Sequence, residues 1–250
     1  MAPSSGRCVL EVSQSPNLKK RKPYFLKATM ITERIDVGRC LCIHAQLQAV
    51  DTVLQLLLYQ RGIIPAVVTQ LLSTIESRNE VKFVETYAKV REALKEIFCS
   101  SNRRALHEVV IVIGASCALP QEIYRIPIEV CDSSESDLLH CGENCGELSP
   151  REQRKISSSL VISPNLSATR SITRNTRVSI LLRGTSALKF PEELVENDDG
   201  FELPKDEALS RRKIYSVRFV LKHLCVENII AIGNCDTTWF RLSPVIQAFS

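Results

Sequence analysis

The stretch Val109-Val110-Ile111-Val112-Ile113, which ends at Gly114, decides the fold of this chain. Five consecutive β-branched residues leave a strand no polar face to turn toward water, so the pattern predicts a central strand covered on both faces. The preceding segment, Val81 to Phe98, has apolar residues at helical spacings, with Glu85 and Lys89 one turn apart on its polar side. This spacing predicts an amphipathic helix that covers the strand. A long helix on a sheet, without a catalytic signature at the strand end, indicates a binding protein.

Three further elements are predicted upstream. Cys40, Cys42 and His44 alternate, which predicts a strand from Arg39 to Gln46. A wide apolar stripe then predicts a largely buried helix from Val50 to Tyr59, and a helical stretch follows that ends near Ile75.

The chain divides unevenly along its length. Residues 1–32 are predicted to be a flexible N-terminal tail, and residues 33–250 a single domain interrupted by a long polar insert at about 132–205. The insert is rich in Ser, Thr, Asn, Asp and Glu, a composition typical of disorder, and only Val178 to Leu182 has strand character.

After the polar insert, a third helix is expected to begin near Pro204. Ile214, Val217 and Leu221 step by three and four, which places them on a face toward the sheet. Tyr215 and Phe219 lie on a neighbouring stripe. Two interpretations of these aromatics are open: they widen the buried face, or they anchor a partner helix.

The composition of the chain limits the classes of protein to which it can belong. The chain has 250 residues, of which 24% are charged, and no apolar stretch approaches the ~18 residues of a membrane span, so no membrane partner is expected. The N-terminus lacks the apolar region of a signal peptide, so the 10 cysteines are interpreted as thiols. Two clusters, Cys40/Cys42/His44 and His140/Cys141/Cys145, each supply only part of a zinc ligand set, so no metal site is expected.

A compact basic run, Lys19, Lys20, Arg21 and Lys22, lies in the N-terminal tail. It is a candidate nuclear import signal, and the alternative is a solvated tail. Aromatic residues make up only 6% of the chain, which argues against a nucleic-acid platform of stacked aromatics. No nucleic-acid partner is expected.

Enzyme motifs are missing from the sequence. It contains no G-x-S-x-G, no phosphate-binding P-loop and no H-E-x-x-H, and its four histidines lie in unrelated segments. We therefore expect neither catalysis nor a cofactor.

Several short sequence motifs follow one another in a characteristic order along the chain. In chain order they are Leu56-Leu57-Leu58-Tyr59-Gln60-Arg61, Ile64-Pro65, Gln70-Leu71, Val109–Gly114, Ala118-Leu119-Pro120, Glu122, Tyr124, Arg211-Arg212 and Trp239-Phe240-Arg241. This series resembles the comet family, HORMA-like proteins that bind the closed conformer of the spindle-checkpoint protein Mad-two. The resemblance covers residues 33–131 and about 206–244.

The resemblance implies an α+β, HORMA-like fold, with three helices packed on a mostly antiparallel sheet. It also implies an adaptor that presents closed Mad-two to a Pch-two-type AAA+ ATPase and so silences the mitotic spindle checkpoint. Such a protein is expected in the nucleus and cytoplasm, on the spindle in mitosis.

The family's site residues carry over to a few positions of this chain. The partner-contacting glutamine falls on Gln60, and the aromatic anchor of the third helix falls on Tyr215 or, after a register shift, on Ile214, with Phe219 next. The ATPase-facing segment falls on Arg241.

The match also has departures. The family's Pro-Lys pair after Arg241 is replaced by Leu242-Ser243, and only nine residues follow Arg241, where family members add a C-terminal belt. Two interpretations are open: a divergent member of the family, or a C-terminally incomplete one. The alternative function is another HORMA-superfamily protein, one that captures short peptide motifs in chromosome or DNA-repair complexes.

Overall fold

The chain folds into one mixed α and β arrangement around an eight-stranded sheet. The computed structural model describes residues 31–39, 41–75, 77–129, 146–166, 175–222 and 237–249. The elements follow one another in the order β1 (Ile31–Asp36), α1 (Ile43–Gln60), α2 (Val68–Ser73), α3 (Arg78–Ile97), β2 (Leu106–Ser116), β3 (Leu119–Pro127), α4 (Pro150–Ile162), β4 (Arg177–Thr185), β5 (Val195–Asn197), α5 (Asp206–Arg211), β6 (Tyr215–Lys222), β7 (Thr237–Leu242) and β8 (Ile246–Gln247).

The sheet is mostly antiparallel. Its strand order is β1-β6-β3-β2-β4-β7-β5, and β8 pairs with β4 beyond the end of β7. Strand β6 runs parallel to its neighbours β1 and β3, whereas the other pairs of described strands are antiparallel. The predicted α+β class with a mostly antiparallel sheet is therefore confirmed.

The predicted central strand is confirmed as β2. It lies between β3 and β4, and the residues from Val109 to Ile113 are at most 2% exposed. Val109, Ile111 and Ile113 belong to the large core beneath the helices, whereas Val110 and Val112 belong to a smaller cluster on the other face. Both faces of β2 are thus covered by apolar side chains, as a run of β-branched residues requires.

Gly114 marks the irregular end of this strand. The register between β2 and β3 shifts on both sides of Gly114, which brings the two chains close together. A Cβ atom at this position would lie 2.5 Å from the carbonyl oxygen of Leu119. The close approach of the two backbones therefore requires glycine.

Two of the helices match the predicted segments. The predicted helix Val50 to Tyr59 lies inside α1, and the predicted helix Val81 to Phe98 corresponds to α3. Helix α3 begins with a capping box, in which the Ser77 hydroxyl accepts from the Glu80 amide and the Glu80 carboxylate accepts from the Ser77 amide.

The strand predicted from Arg39 to Gln46 is wrong, because most of that segment is the start of α1. Cys42 is the extended residue before the helix, and His44 is exposed on its first turn. Buried Ile43, Gln46 and Val50 continue the apolar stripe at spacings of three and four. The first strand is instead β1, which overlaps the end of the predicted tail.

The predicted polar insert at 132–205 is wrong for the residues of that range that the structure describes. Strand β4 pairs with central β2 along its length, and α4 buries Ile156 and Leu160 in the large core. Only Val178 to Leu182 was expected to form a strand, and it does so as part of β4. The expectation for residues 132–145 and 167–174 lies outside the described residues.

The predicted third helix is also wrong beyond its first turns. A helix does begin after Pro204, but α5 ends at Arg211, and the next element is strand β6. Val217, Phe219 and Leu221 alternate on the face toward the helices. Among the described helices α4 is the third long one, so four of them (α1 to α4) pack on one face of the sheet, and short α5 packs on the other.

A charge at the centre of β2 should destroy the fold. Ile111→Asp would place an unpaired carboxylate in a fully buried position, so we expect loss of cooperative thermal unfolding. Leu119→Asp, at a position that is 67% exposed in the neighbouring strand, is the matched control and should melt like the parent. A normal melting curve for Ile111→Asp would contradict the central placement of β2.

Candidate functional site

The C-terminal ends of α1 and α4 meet at one corner of the helical layer. Arg61 follows the last residue of α1, and its Nη1 donates a hydrogen bond of 2.7 Å to the carbonyl oxygen of Leu166, just after α4. Gln60 is the residue before Arg61, and Val161 and Ile162 end α4 a few residues before Leu166. We use the name helix-end surface for these two helix ends, with Tyr59 and Gln60 on α1 and Val161 and Ile162 on α4.

A buried ion pair supports the helix-end surface from below. Arg61 Nε lies 2.7 Å from Glu122 Oε2 on β3, and the side chains of the two residues are 1% and 4% exposed. The Tyr124 hydroxyl accepts from Arg61 Nε at 3.0 Å and donates to the same carboxylate. Burial and the neighbouring Glu122 charge raise the pKa of Tyr124, so this hydroxyl stays a donor.

Among the residues that the structure describes, Gln60 Oε1 and Arg61 Nη2 are buried at this corner without a hydrogen-bond partner. Most buried polar groups in folded proteins are paired, and an unpaired one costs free energy. Neither atom is accessible from outside, so neither can bond to a partner in this conformation.

Beside these polar groups the helix-end surface is apolar. Val161 and Ile162, in the last turn of α4, are 54% and 76% exposed, and Tyr59 on α1 is 47% exposed. Val161 and Ile162 are consecutive, so apolar surface is exposed at the end of α4, and exposed apolar surface is a feature of protein-binding sites.

The sequence-predicted anchors occupy different places. Phe219 is fully buried and stacks on Tyr124 with ring centroids 5.9 Å apart, and Ile214 is buried on the other face of the sheet. Tyr215 is half-buried and its hydroxyl donates to the carbonyl oxygen of Asn165. Phe219 therefore widens the buried face, and the expected helical stripe of exposed aromatics does not exist, because this segment is a strand.

Helix α4 is the element of this corner that the sequence interpretation missed. Its start carries a clear local signal, Ser149-Pro150 followed by Glu152, with proline in the first turn and a complete capping box. Arg39 Nε also lies 2.6 Å from Glu152 Oε1, which ties the start of α4 to the chain before α1. The hydrogen bond from Arg39, joined by those from Ser149, lowers the pKa of Glu152 to about 2.

Arg241 lies on β7, far along the sheet from the helix-end surface. Its guanidinium is 3.1 Å from Glu196 and 3.6 Å from Asp198, and the Arg241 side chain is 40% exposed. The hydrogen bond from Arg241 lowers the pKa of Glu196 and in return raises the pKa of Arg241. Arg241 is accessible, but it is already engaged by acidic residues of its own chain.

Other sequence candidates fall outside the described residues. These are Lys19 to Lys22, Cys40 and the cluster His140/Cys141/Cys145. Within the described ranges, no group of three or more His, Cys, Asp or Glu side chains could hold a metal ion. Among the helices described, none combines the length and the apolar character needed to cross a membrane.

The sequence matches no protein-family model, and no curated protein matches it.

Breaking the buried ion pair should be costly. Glu122→Gln keeps the shape but leaves the Arg61 charge uncompensated, so we expect a loss of about 3–5 kcal/mol in the free energy of unfolding. Urea denaturation would measure this loss. The matched control is Glu196→Gln, which removes the carboxylate of an exposed pair and should leave the urea midpoint unchanged. Equal midpoints for the two variants would contradict the role of the buried pair.

Acid should weaken the anchorage of α4 through Glu152. A carboxyl group with a lowered pKa in the folded state stabilises the fold above its ordinary pKa of 4.5, and this contribution is lost as the pH falls toward about 2. The melting temperature of Glu152→Gln should therefore lie below that of the parent at pH 7, and the difference should shrink between pH 4.5 and pH 2. A difference that stays constant over this range would contradict the assignment.

Proposed function

We propose that this protein is an adaptor that binds the closed conformer of the checkpoint protein Mad-two and presents it to a Pch-two-type AAA+ ATPase. On this proposal the protein has a HORMA-like fold and acts in silencing the mitotic spindle checkpoint. It would act in the nucleus and cytoplasm and on the mitotic spindle.

The observation that carries the proposal is the order and placement of the long helices. Helices α1, α3 and α4 pack on the same face of a mostly antiparallel sheet, and α4 comes third along the chain. The resemblance to the comet family implies three helices on such a sheet and a third helix that docks on the partner. The third long helix is α4, so we transfer the expected contact from residues 214–219 to α4.

The chemistry of the helix-end surface suits this contact. Gln60, the glutamine that the resemblance assigns to the partner contact, is the last residue of α1 and is partly exposed. Val161 and Ile162 offer apolar area that packing within this chain leaves exposed. A central apolar anchor with an adjacent amide is typical of protein interfaces, in which a few residues dominate the binding energy.

The C-terminal segment adds a second supporting observation. After β7 the chain folds back: β8 pairs with β4, and Phe249 packs edge-on against Phe83 of α3, with ring centroids 5.7 Å apart. A backbone hydrogen bond of 3.0 Å from Phe249 to the Ile63 carbonyl continues this contact. In the peptide-capturing alternative, a mobile C-terminal segment closes over a ligand, whereas residues 246–249 are packed against their own domain. This arrangement favours the adaptor.

The test is binding of purified closed Mad-two to a variant of the helix-end surface. Val161→Glu with Ile162→Glu should weaken binding more than tenfold, because truncating or charging a central anchor costs ~2 kcal/mol or more. The melting temperature should change little, because both side chains are more than half exposed. Isothermal titration calorimetry measures the affinity.

The matched control is Leu72→Glu with Ile75→Glu, two apolar residues of similar exposure at and beyond the end of α2. This control should bind like the parent. Undiminished binding by the α4 variant would contradict the placement of the interface. If the parent does not bind closed Mad-two and instead retains a short linear peptide, the adaptor proposal is wrong and the peptide-capturing function replaces it.

A further inference from the structure

The face of the sheet opposite the helices is covered by apolar packing over only part of its width. Helix α5 and the chain before it cover a small cluster of strand residues. That cluster consists of Val110, Val112, Ile123, Leu181, Leu209 and Ile214, with Phe201, Leu203 and Trp239 partly buried against it. Beyond this cluster the exposed face of the sheet changes from apolar to charged.

Three arginines occupy the charged part of this face, one on each of three strands. Arg125 on β3 lies directly opposite Arg218 on β6, and Arg183 on β4 lies directly opposite Glu108 on β2. Directly opposite residues of paired strands point to the same side of a sheet, so these side chains share one surface. We call Arg125, Arg183 and Arg218 the arginine face. Arg34, exposed on edge strand β1, extends it.

The carboxylate of Glu108 lies near two of the arginines, Arg125 and Arg183. Arg125 donates to Glu108 through Nε and Nη2, each at 2.8 Å, which is a bidentate pair. Arg183 Nη1 lies 4.0 Å from the same carboxylate, whose side chain is 6% exposed. The Arg183 side chain is 39% exposed, so its guanidinium can be reached from solvent.

The positive charge of the arginine face is partly offset by carboxylates among the described residues. Glu108 contacts Arg125 and Arg183, Arg218 acts electrostatically on Glu129, and Asp36 lies two residues from Arg34 on the same side of β1. Burial raises the pKa of Glu129 even though Arg218 acts to lower it. Among the described residues, the Nε atoms of Arg183 and Arg218 are buried without a hydrogen-bond partner, so only the terminal nitrogens of these guanidinium groups are left to contact a bound group.

We propose that the arginine face binds an extended acidic segment of a partner protein, whose carboxylates pair with the terminal guanidinium nitrogens of Arg183 and Arg218. Neighbouring strands are ~4.8 Å apart, so the four intervals from β4 to β1 span roughly 19 Å. An extended chain covers this span with about six residues.

This site is independent of the proposed adaptor contact. The helix-end surface belongs to the helical layer, whereas the arginine face lies on the other side of the sheet. A partner on one side leaves the other side open. Failure of either proposal therefore leaves the other unaffected.

The experiment uses a fluorescein-labelled hexaglutamate peptide and measures fluorescence anisotropy against the full chain at low salt. We expect binding that weakens as salt is added, because the contacts are charge pairs at a partly exposed surface. Arg183→Gln with Arg218→Gln should weaken binding about tenfold or more. Arg183→Lys with Arg218→Lys keeps the charge but loses the planar fork, and should fall between this variant and the parent.

The matched control is Arg91→Gln with Lys95→Gln on α3, which removes two positive charges from the helical layer. It should bind the peptide within twofold of the parent. Thermal melting of each variant verifies its fold, and the lysine variant replaces the glutamine variant if the latter unfolds.

Three outcomes would overturn the proposal. The first is no binding by the parent, and the second is equal weakening in the control, which would show an effect of net charge alone. The third is that a phosphoserine peptide or duplex DNA binds in an arginine-dependent way while hexaglutamate does not.

Discussion

The buried ion pair between Arg61 and Glu122 is the constraint on which the arrangement of the helices depends. It joins the end of α1 to strand β3, and through the Leu166 carbonyl it also joins the chain that leaves α4. Removing one member of such a pair leaves a charge in a place that water cannot reach, so the three segments must stay together. The position of the helix-end surface follows from this requirement, because Gln60 precedes Arg61 and α4 ends four residues before Leu166.

The central strand sets a second constraint, and it is the part of the fold that the sequence predicts best. A run of five β-branched residues has one stable environment, a sheet covered on both faces. The sequence predicts the two longest described helices, α1 and α3, equally well. Both have long apolar stripes, and α3 also begins with a complete capping box. In these segments the local pattern and the tertiary packing require the same structure.

The wrong predictions of secondary structure fall on segments whose apolar spacing fits both a helix and a strand. Val217 and Leu221 are four residues apart, so they share a face in a helix and in a strand alike. What decides for the strand is tertiary pairing: β6 lies between β1 and β3, parallel to both, and its partners are distant in sequence. The segment from Cys42 to Gln46 is ambiguous for the same reason, because five residues of alternating pattern fit the start of a helix as well.

Helix α4 is not predicted for another reason. A helix that packs on one side only has few apolar residues, so its average composition does not distinguish it from a loop. Helix α4 buries just Ile156 and Leu160 and exposes mostly polar or charged residues, so its average composition is close to that of a disordered segment. Its capping box and its proline in the first turn were the local signals present. The prediction of the candidate site fails for the same reason. The exposed apolar end of α4 can be located only when this segment is recognised as a helix.

The two faces of the sheet differ in chemistry because they are covered by different means. The helical face is closed by long amphipathic helices and leaves one exposed apolar corner where two of them end. The opposite face is closed only over its apolar half by a short helix and the chain before it, and its other half is held by arginine–glutamate contacts. The two sides of the sheet therefore differ in kind: one leaves apolar side chains exposed at the end of α4, and the other exposes arginines.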